Sequence, residues 1–276
     1  MHRVHANGAE IPALGFGTWT LKDATARDLV AAALGAGYRH IDTAAMYENE
    51  VDVGVGLRLS GLPREDVFLT TKVWQSDIGP GDLQRSLAAS LDRLGTDYVD
   101  LVLIHWPSKT IPLAESIAAL DEVRERGMAR HIGVSNFTTA QVAEAAMLAR
   151  HPLACNQVEH HPYLDQRKVA EACRVEGMAL VSYCPLARGE RLFAEPAVAE
   201  AAARHGKSPA QVVLRWHVQQ PDVVAIPRTS NPERVPENLA IFDFALEPAE
   251  MEALNALRSK PMRICDYDFS PVWDPA

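Results

Sequence analysis

The alternation of short apolar runs with segments of helical period constrains the fold of this chain more than any other feature, because it recurs about eight times. The run Tyr98–Ile104 ends in four consecutive apolar residues, as expected for a strand buried on both faces of a parallel sheet. Such an alternation predicts an α/β fold of the (β/α)8 type, a TIM barrel. The predicted strands are Ala13–Phe16, Arg39–Asp42, Val67–Lys72, Tyr98–Ile104, His131–Ser135, Cys155–Glu159, Leu180–Tyr183 and Val223–Ile226.

The segments between these runs carry helical spacing of apolar residues. Two further features lie at the ends of the chain. Asn7-Gly8 predicts a tight N-terminal β-hairpin, and residues 260–276 lack a helical pattern. We call residues 260–276 the C-terminal tail and expect it to lie over an apolar pocket, because it contains several aromatic residues. The predicted helices are Ala24–Leu34, Asp82–Leu94, Ile117–Arg126, Thr139–Ala149, Gln166–Glu176, Pro209–Val218 and Pro248–Leu257.

A doubly wound α/β sheet is the rival fold for such an alternation. That fold carries a G-x-G-x-x-G turn after its first strand, and no such turn follows Ala13–Phe16. Gly54 and Gly56 do not complete the motif, because Leu59 stands at the third glycine position and both glycines lie inside a predicted helix. No linker composition divides the chain, and single barrels of about 250 residues are common. We therefore predict one barrel domain over residues 1–276.

The composition argues against several classes of partner. The 27 basic and 36 acidic residues give a net charge of −9, which disfavours nucleic acid and anionic membranes as partners. No apolar run approaches the roughly 18 residues of a membrane span, and the N-terminal segment resembles no signal peptide. The four cysteines show no C-x-x-C spacing, so a disulfide framework or a zinc site is not expected. We expect a monomeric, cytoplasmic protein without an obligate protein partner.

Polar residues stand where the predicted strands end, at intervals of about 30 residues. Burying such groups without partners costs free energy, so their repetition is hard to ascribe to packing alone. In a barrel, the carboxyl ends of all strands meet on one face, where the chemistry of such proteins lies. The residues concerned are Asp42, Lys72, His105, Ser135, Asn136, Gln157, Tyr183 and Arg228.

Four of the residues at this face suggest carbonyl chemistry. Tyrosine is a poor acid near neutral pH, but a nearby lysine cation favours the phenolate and lowers the pKa of the phenol. Tyr47 lies five residues after Asp42, on the same loop, and Lys72 would act on it while Asp42 holds the lysine charged. His105 would orient a carbonyl oxygen by donating a hydrogen bond. Together these groups suit proton delivery during hydride addition to a carbonyl.

Five segments in this order resemble the aldo-keto reductase family. They are GYRHIDTAAMYENEVDVG (37–54), DYVDLVLIHWP (97–107), GVSNF (133–137), NQVEHHPY (156–163) and AIPRTSNPERVPENL (225–239). The resemblance covers nearly the whole chain and implies a TIM barrel that uses NADPH without a dinucleotide-binding glycine motif. It implies that Tyr47 is the general acid, that Lys72 and Asp42 tune it, and that His105 orients the carbonyl.

The resemblance also implies a cofactor site. Ser135, Asn136 and Gln157 resemble the groups that hydrogen-bond the nicotinamide carboxamide, and Tyr183 resembles the residue that stacks on the ring. The segment from Leu186 to Arg188 resembles the loop near the pyrophosphate. The residues that resemble the 2′-phosphate and adenine site are Arg228, Thr229, Ser230, Arg234, Glu237 and Asn238. The family usually has lysine at the position of Arg228. NADPH is therefore the expected cofactor, with NADH binding more weakly.

The segment Pro107–Leu113 is shorter than the substrate loop of vertebrate members, and the chain resembles bacterial 2,5-diketo-gluconate and glyoxal reductases instead. Such a loop implies an open pocket for a small carbonyl substrate. Together with His105, the expected substrate-binding residues are Trp19, Trp74 and Trp106.

Two other functions fit a barrel with polar strand ends. One is a regulatory subunit that binds NADPH with little turnover, although it would not need the whole set of Asp42, Tyr47, Lys72 and His105. The other is a metal-dependent hydrolase, which requires His and Asp ligands at strand ends that hold other residue types here. The adjacent pair His160-His161 lacks metal-ligand spacing, so we expect no metal.

Overall fold

The computed structural model describes residues 2–275, so residues 1 and 276, the two ends of the predicted domain, lie outside the described range. Eight parallel strands form the barrel, as predicted, and six of them are buried along their whole length. The strands are β3 (Phe16–Gly17), β4 (His40–Asp42), β5 (Phe68–Val73), β6 (Val99–Ile104), β7 (Ala129–Ser135), β8 (Cys155–Glu159), β9 (Ala179–Tyr183) and β10 (Val223–Ala225).

Each strand pairs with the next along the chain, from β3 to β10. The segment before β3 closes the ring, because Leu14 forms a parallel bridge to Ala225. The amide of Gly15 donates to the oxygen of Ala225 at 2.8 Å, and that of Gly17 donates to the oxygen of Pro227 at 3.0 Å. The first strand therefore extends one residue beyond its predicted end, and its predicted residues serve mainly to close the barrel. All strand carboxyl ends consequently point to one face.

The predicted hairpin is confirmed and covers the opposite face. It consists of β1 (Arg3–Ala6) and β2 (Ala9–Pro12), which pair in antiparallel register. Asn7 and Gly8 adopt positive φ angles of 46° and 83° in its turn. The side chain of Asn7 donates to the backbone oxygens of Leu153 and Glu176, which precede β8 and β9.

Helices follow the strands and surround the barrel. All seven predicted helices are present, with ends shifted by at most a few residues. The predicted helix around Gly54 and Gly56 is α2, and three others were not predicted: α7, α8 and α10. The helices are α1 (Asp23–Ala36), α2 (Glu50–Leu59), α3 (Asp82–Leu94), α4 (Leu113–Glu125), α5 (Thr139–Leu148), α6 (Arg167–Val175), α7 (Glu190–Phe193), α8 (Pro196–His205), α9 (Pro209–Val218), α10 (Arg234–Leu239) and α11 (Pro248–Ala256).

Helix α2 contains two glycines, which are unusual inside a helix, and the structure explains them. A Cβ atom on Gly54 would lie 2.3 Å from the backbone oxygen of Leu94, at the end of α3. A Cβ atom on Gly56 would lie 2.6 Å from the backbone oxygen of Arg27 in α1. The glycines therefore allow α2 to approach both neighbouring helices closely, and this packing outweighs their low helix propensity.

Buried residues form a large core between the strands and helices, and a second cluster packs around α8, α9 and α11. Within residues 2–275, no helix is both long and apolar enough to cross a membrane. The described part of the C-terminal tail lies over the carboxyl ends of the strands, where its aromatic rings contact Trp74 and Trp106. This placement agrees with the expectation from its composition.

Candidate active site

Asp42, Tyr47 and Lys72 form one hydrogen-bonded group at the carboxyl ends of β4 and β5. The Nζ atom of Lys72 donates to Asp42 Oδ1 at 2.5 Å and to the hydroxyl of Tyr47 at 3.2 Å. Its third donor bonds the backbone oxygen of Thr43 at 2.9 Å. The three donors of the ammonium group are thus satisfied, which is what a fully buried lysine requires.

Gln157, at the end of β8, completes the surroundings of Asp42. Its side-chain amide donates to Asp42 Oδ2 at 2.7 Å, so each carboxylate oxygen accepts one hydrogen bond. The side chains of Asp42 and Lys72 are 2% and 0% exposed. Their ion pair is therefore shielded from water, and removal of either partner would leave an uncompensated buried charge. This contact of Gln157 was not predicted from the sequence.

The pKa values of Lys72 and Tyr47 are both raised. Burial lowers the pKa of Lys72, but the charge of Asp42 and the bond to Tyr47 outweigh it. Burial raises the pKa of Tyr47, and the Lys72 cation offsets only part of this effect. The predicted influence of Lys72 thus has the expected direction, while the net shift of the Tyr47 pKa is upward. Tyr47 therefore holds its proton at neutral pH.

His105, directly after β6, faces the same group. Its ring centroid lies 5.6 Å from that of Tyr47 and 5.2 Å from that of Trp74. Burial, followed by the charge of Lys72, holds the pKa of His105 well below its usual value of 6.5, so the imidazole is neutral. Its Nδ1 atom is buried without a hydrogen-bond partner. We accordingly assign the single N–H to Nε2.

The residues expected near the nicotinamide lie together at the ends of β7, β8 and β9. The hydroxyl of Tyr183 donates to Asn136 Oδ1 at 2.7 Å, which holds the phenol ring in place. The Asn136 amide donates to the backbone oxygen of His105 at 2.9 Å, and Ser135 Oγ donates to the oxygen of Gln157 at 2.7 Å. Asn136 has a positive φ of 63°, a conformation that asparagine tolerates better than most residues.

The loop after β9 follows an unusual backbone path. Cys184, Ala187 and Arg188 all have positive φ angles, and Gly189 follows at 93°. Arg188 is exposed, whereas Leu186 is half-buried against the core. The position of Leu186–Arg188 near the pyrophosphate stays a prediction.

The predicted phosphate end of the site is exposed, in contrast to the buried group at Lys72. Arg228 donates from Nε to the backbone oxygen of Trp19 at 3.1 Å and from Nη2 to Thr20 Oγ1 at 2.6 Å. A guanidinium has five N–H donors, so these bonds leave others free for an anion. Arg234 and Ser230 are exposed as well.

The remaining residues of the predicted adenine site are more buried than Arg228, Ser230 and Arg234. Thr229 is buried, and its hydroxyl both donates to the backbone oxygen of Asn231 and accepts from the Asn231 amide. Asn238 is buried in α10, and Glu237 on the same helix is half-buried, with its backbone oxygen accepting from Gln211. The role of these residues in an adenine site stays a prediction.

Aromatic rings enclose the group around Tyr47. The ring of Trp19 lies 4.8 Å from that of Tyr47, and Trp106 is buried against rings of the C-terminal tail. Phe269 from the tail contacts both Trp74 at 5.3 Å and Trp106 at 5.2 Å. A continuous series of ring contacts thus links the three predicted tryptophans through Tyr47, His105 and Phe269.

Asn49 is a structural support of the site that sequence analysis did not identify. Its buried side chain accepts from Thr43 Oγ1 and donates to the backbone oxygens of Thr18 and Leu21. It therefore ties the loop that carries Tyr47 to the loop that carries Trp19. Its position two residues after Tyr47 indicated a place near the site. Its partners Thr18 and Leu21, however, are too distant in sequence to be recognised from the sequence alone.

Within residues 2–275, no cluster of three or more His, Cys, Asp or Glu side chains is arranged to hold a metal ion. His161 Nε2 instead pairs with Glu159 Oε1 at 2.9 Å, and His160 Nδ1 lies 3.0 Å from Ser182 Oγ. Both histidines are buried and engaged in the interior. Their contacts agree with a structural role.

Comparison with known proteins identifies the family that this chain resembles. A family profile described as the aldo/keto reductase family matches residues 13–259. An aldo-keto reductase from Mycolicibacterium paratuberculosis is 48% identical over 250 residues, covering 90% of this chain and 87% of that protein. A 9,11-endoperoxide prostaglandin H2 reductase from Trypanosoma cruzi is 41% identical over 254 residues, covering 91% of this chain and 89% of that protein.

A solved structure shares the whole fold. The crystal structure of a protein assigned as a 2,5-diketo-D-gluconic acid reductase B superposes with a TM-score of 0.96 at 49% identity. The match covers 100% of this chain and 98% of that chain. It therefore includes the C-terminal tail, which the family profile does not reach.

Proposed function

This chain belongs to the aldo/keto reductase family of NAD(P)-dependent oxidoreductases, and on that premise we propose that it reduces aldehydes and ketones to alcohols with NADPH. One observation carries the proposal: the buried Lys72 cation bridges Asp42 and the hydroxyl of Tyr47. A protonated phenol with a cation beside it is a proton donor whose anion is stabilised as it forms.

The proposed reaction needs two partners for the carbonyl group. When bound, NADPH supplies a hydride to the carbonyl carbon. Tyr47 donates its proton to the carbonyl oxygen, and Lys72 stabilises the phenolate that remains. Asp42 keeps Lys72 charged and oriented, because its Oδ1 atom accepts a bond of 2.5 Å. The raised pKa of Tyr47 keeps the phenol protonated until the carbonyl oxygen gains negative charge.

His105 positions the substrate in this proposal. As a neutral imidazole it donates from Nε2 to the carbonyl oxygen without placing a second cation beside Lys72. The enclosed, orphaned Nδ1 atom leaves Nε2 as the side of the ring that meets the substrate. Trp19, Trp74 and Trp106 exclude water from the reacting groups, which strengthens the electrostatic stabilisation.

The side chains present fit NADPH. Asn136 and Gln157 would hold the carboxamide together with Ser135, and Tyr183 would stack on the nicotinamide ring. The anchoring of the Tyr183 hydroxyl by Asn136 supports this role, because it fixes the ring before the cofactor arrives. The exposed guanidinium groups of Arg228 and Arg234 would bind the 2′-phosphate, with Thr229, Ser230, Glu237 and Asn238 beside them.

The substrates we propose are small dicarbonyl compounds, keto sugars and keto acids. The aromatic walls favour small, partly apolar carbonyls and make only a few directional contacts. A 49% identical structure of a protein assigned as a 2,5-diketo-D-gluconic acid reductase B supports the keto-sugar class. A monomeric state and a cytoplasmic location stay predictions from the sequence.

A cofactor-oxidation screen tests the proposal. Phenylglyoxal, methylglyoxal and a diketo sugar acid would each be assayed with NADPH and with NADH. We expect turnover of at least one dicarbonyl, with a higher kcat/KM for NADPH than for NADH. NADPH binding without turnover of any carbonyl would contradict the enzymatic proposal and favour the regulatory alternative. Full activity after treatment with a metal chelator is expected, because no step uses a metal.

A further inference from the structure

Thr20 lies in a tight turn after β3 and has no role in the proposed reaction. The amide of Leu21 donates to the backbone oxygen of Thr18 at 3.0 Å, which closes a turn of four residues. Thr20 is the third residue of this turn, and its φ angle is 66°. A turn with a positive φ at its third residue usually has glycine there, because glycine has no Cβ atom. Threonine is therefore an unexpected residue type for this backbone.

The backbone conformation of Thr20 is costly for its residue type. A β-branched side chain crowds the backbone at positive φ, so threonine is rare in this region. Strained residues of this kind persist only where the surrounding structure holds them, and they cluster at functional sites. The polar group that threonine adds and glycine lacks is the hydroxyl. The contact of this hydroxyl therefore indicates what Thr20 does.

The Thr20 hydroxyl accepts a hydrogen bond from the guanidinium group of Arg228. The distance from Nη2 to Thr20 Oγ1 is 2.6 Å, and Nε donates to the backbone oxygen of Trp19 at 3.1 Å. Both acceptors belong to the same turn, so together they fix the position and the tilt of the planar group. A guanidinium has five N–H donors, and the two in these bonds leave three for other partners.

The two ends of the turn are held from the interior. The buried amide of Asn49 donates to the backbone oxygens of Thr18 and Leu21, at 2.8 and 2.9 Å. Thr18 Oγ1 also donates to the backbone oxygen of Asp42 at 2.9 Å. These bonds hold the turn without the side chain of Thr20. Loss of the Thr20 hydroxyl should therefore leave the turn in place.

The backbone on the Arg228 side is held against the same turn. The amide of Gly17 donates to the oxygen of Pro227 at 3.0 Å. A Cβ atom on Gly17 would lie 2.8 Å from the oxygen of Ile226 and 3.7 Å from the Cβ atom of Arg228. Glycine at position 17 therefore lets the two segments approach closely. Thr20 and Arg228 consequently meet across backbones that other contacts hold in place.

The residue type at position 228 suits this arrangement. Arginine presents its donors in a rigid planar fork, whereas lysine has one ammonium group on a flexible chain. A fork can bond the turn with some of its N–H groups and an anion with the others. A lysine, which members of the family usually have at this position, would have to serve both from a single nitrogen. The exchange of lysine for arginine and the hydroxyl of Thr20 therefore belong together.

We propose that Thr20 is a positioning residue for Arg228, and that its hydroxyl fixes the guanidinium for the 2′-phosphate and thereby increases the selectivity for NADPH over NADH. This role rests on the proposed function, because its ligand is NADPH. Thr20 acts through Arg228 and not on the reacting groups. A guanidinium that is already fixed loses less side-chain entropy when the phosphate binds, and NADH, which lacks that phosphate, gains nothing from it.

Cofactor binding tests this role without any assay of turnover. The dissociation constants of NADPH and NADH would be measured by fluorescence titration of the full-length protein. Thr20→Val exchanges the hydroxyl for a methyl group and keeps the β-branched shape. We expect it to weaken NADPH binding about three- to tenfold, which corresponds to the net contribution of one hydrogen bond, and to leave NADH binding unchanged. Unchanged binding of NADPH to Thr20→Val would overturn the proposal.

Three further variants separate the hydroxyl from the backbone. Thr20→Ser keeps the hydroxyl and should restore the wild-type affinity for NADPH. Thr20→Gly suits the positive φ but has no hydroxyl, so it should bind NADPH as weakly as Thr20→Val does. Thr25→Val makes the matched exchange at an exposed threonine of α1 and should bind as the wild type does. Wild-type affinity in Thr20→Gly would assign the effect to the backbone and overturn the role of the hydroxyl.

A double-mutant cycle decides whether Thr20 acts through Arg228. In the Arg228→Ala background, Thr20→Val should have almost no further effect on NADPH binding, because the guanidinium that it positions is absent. The same loss of affinity in both backgrounds would indicate a direct contact between the hydroxyl and the cofactor. That result would contradict the positioning role.

The same titrations separate this role from the proposed function. If the wild-type protein bound NADPH and NADH equally well, the proposed cofactor preference and the role of Thr20 would both be wrong. If the wild type preferred NADPH and Thr20→Val kept the whole preference, only the role of Thr20 would be wrong. A preference that falls in Thr20→Val and returns in Thr20→Ser is the result we expect.

Discussion

The two ends of the proposed site differ in how the protein holds its cations. Lys72 is fully buried, and all three of its donors are bonded to neighbouring groups. Arg228 is exposed, and it bonds the loop at Trp19 and Thr20. The buried end is organised before any ligand arrives, whereas the exposed end keeps donors available for one.

The difference follows from the dielectric surroundings. A charge that is removed from water interacts more strongly with its partners but costs more when a partner is lost. A charge at the surface is screened, and its contacts contribute less to stability. We therefore expect substitutions at the buried end to affect chemistry and stability together, and those at the exposed end to affect mainly cofactor binding.

The largest effect is expected from Tyr47→Phe, which removes the proton donor and keeps the ring. The turnover number should fall by about 10²- to 10⁴-fold, the usual contribution of a positioned acid, with NADPH binding unchanged. Steady-state kinetics and cofactor titration measure both quantities. Tyr98→Phe is the matched control, because its hydroxyl bonds the surface residue Arg130. A loss of less than about tenfold would rule out Tyr47 as the donor.

Lys72→Met should lower turnover similarly and also destabilise the protein. It leaves Asp42 as a buried charge without its cation, which costs about 3–5 kcal/mol. Urea unfolding measures this free energy, and adding Asp42→Asn should recover part of it. Lys22→Met is the control, since Lys22 is exposed and bonds the backbone oxygen of Tyr47. If both lysine variants were equally stable, the distinction between buried and exposed cations would not hold.

Arg228→Ala should have a smaller and more selective effect. Loss of one charged contact to the 2′-phosphate should raise the KM for NADPH about tenfold, which corresponds to about 1.4 kcal/mol. The KM for NADH should change little, because NADH lacks that phosphate. Arg174→Ala, which removes an exposed arginine paired with Glu171, provides the control. An equal rise for both cofactors would argue against the proposed phosphate contact.

The smallest effect concerns the buried histidines of the barrel interior. Burial lowers the pKa of His40 to about 4 and that of His217 to about 3. Because the unfolded chain takes up protons near pH 6.5, the stability due to these neutral histidines is complete above that pH. It is lost progressively as the pH falls from about 6.5 through about 4 and about 3.

His217→Gln tests this dependence. The free energy of unfolding would be measured at about pH 7 and about pH 5, and the variant should lose less stability between them than the wild type. His5→Gln should behave as the wild type does, because His5 is exposed. The same loss in the His217 variant as in the wild type would assign the acid sensitivity to other groups.

Sequence reasoning succeeded where the relevant interaction is local or repeated. Apolar periodicity located eight strands because each is buried by the same architecture, and Asp42, Lys72 and His105 stood out as polar residues at their ends. It did not explain why α2 contains Gly54 and Gly56, which lower the intrinsic helix preference. These glycines allow close packing against α1 and α3, and a local sequence pattern carries no information about such contacts.

The functional site likewise has some features that residue types predict and others that depend on the packed structure. The direction in which Lys72 acts on Tyr47 could be argued from residue types alone, but the net rise of the Tyr47 pKa depends on burial. The bond from Gln157 to Asp42 joins residues in β8 and β4, on different sides of the barrel. The support of the Tyr47 loop by Asn49 likewise depends on loops brought together from distant positions.

By itself, the sequence determined the barrel and the residue types at the strand ends through repeated periodicity, the hairpin through Asn7-Gly8, and the family through five motifs that resemble it. Only the tertiary structure decided which cations are buried, which remain exposed, and which groups hold the C-terminal tail in place. The tail has no periodic pattern, and its position depends on the buried carboxylate of Glu159 and the ring of Trp106. Burial and long-range hydrogen bonds are properties of the packed chain, so they arise only when distant segments meet.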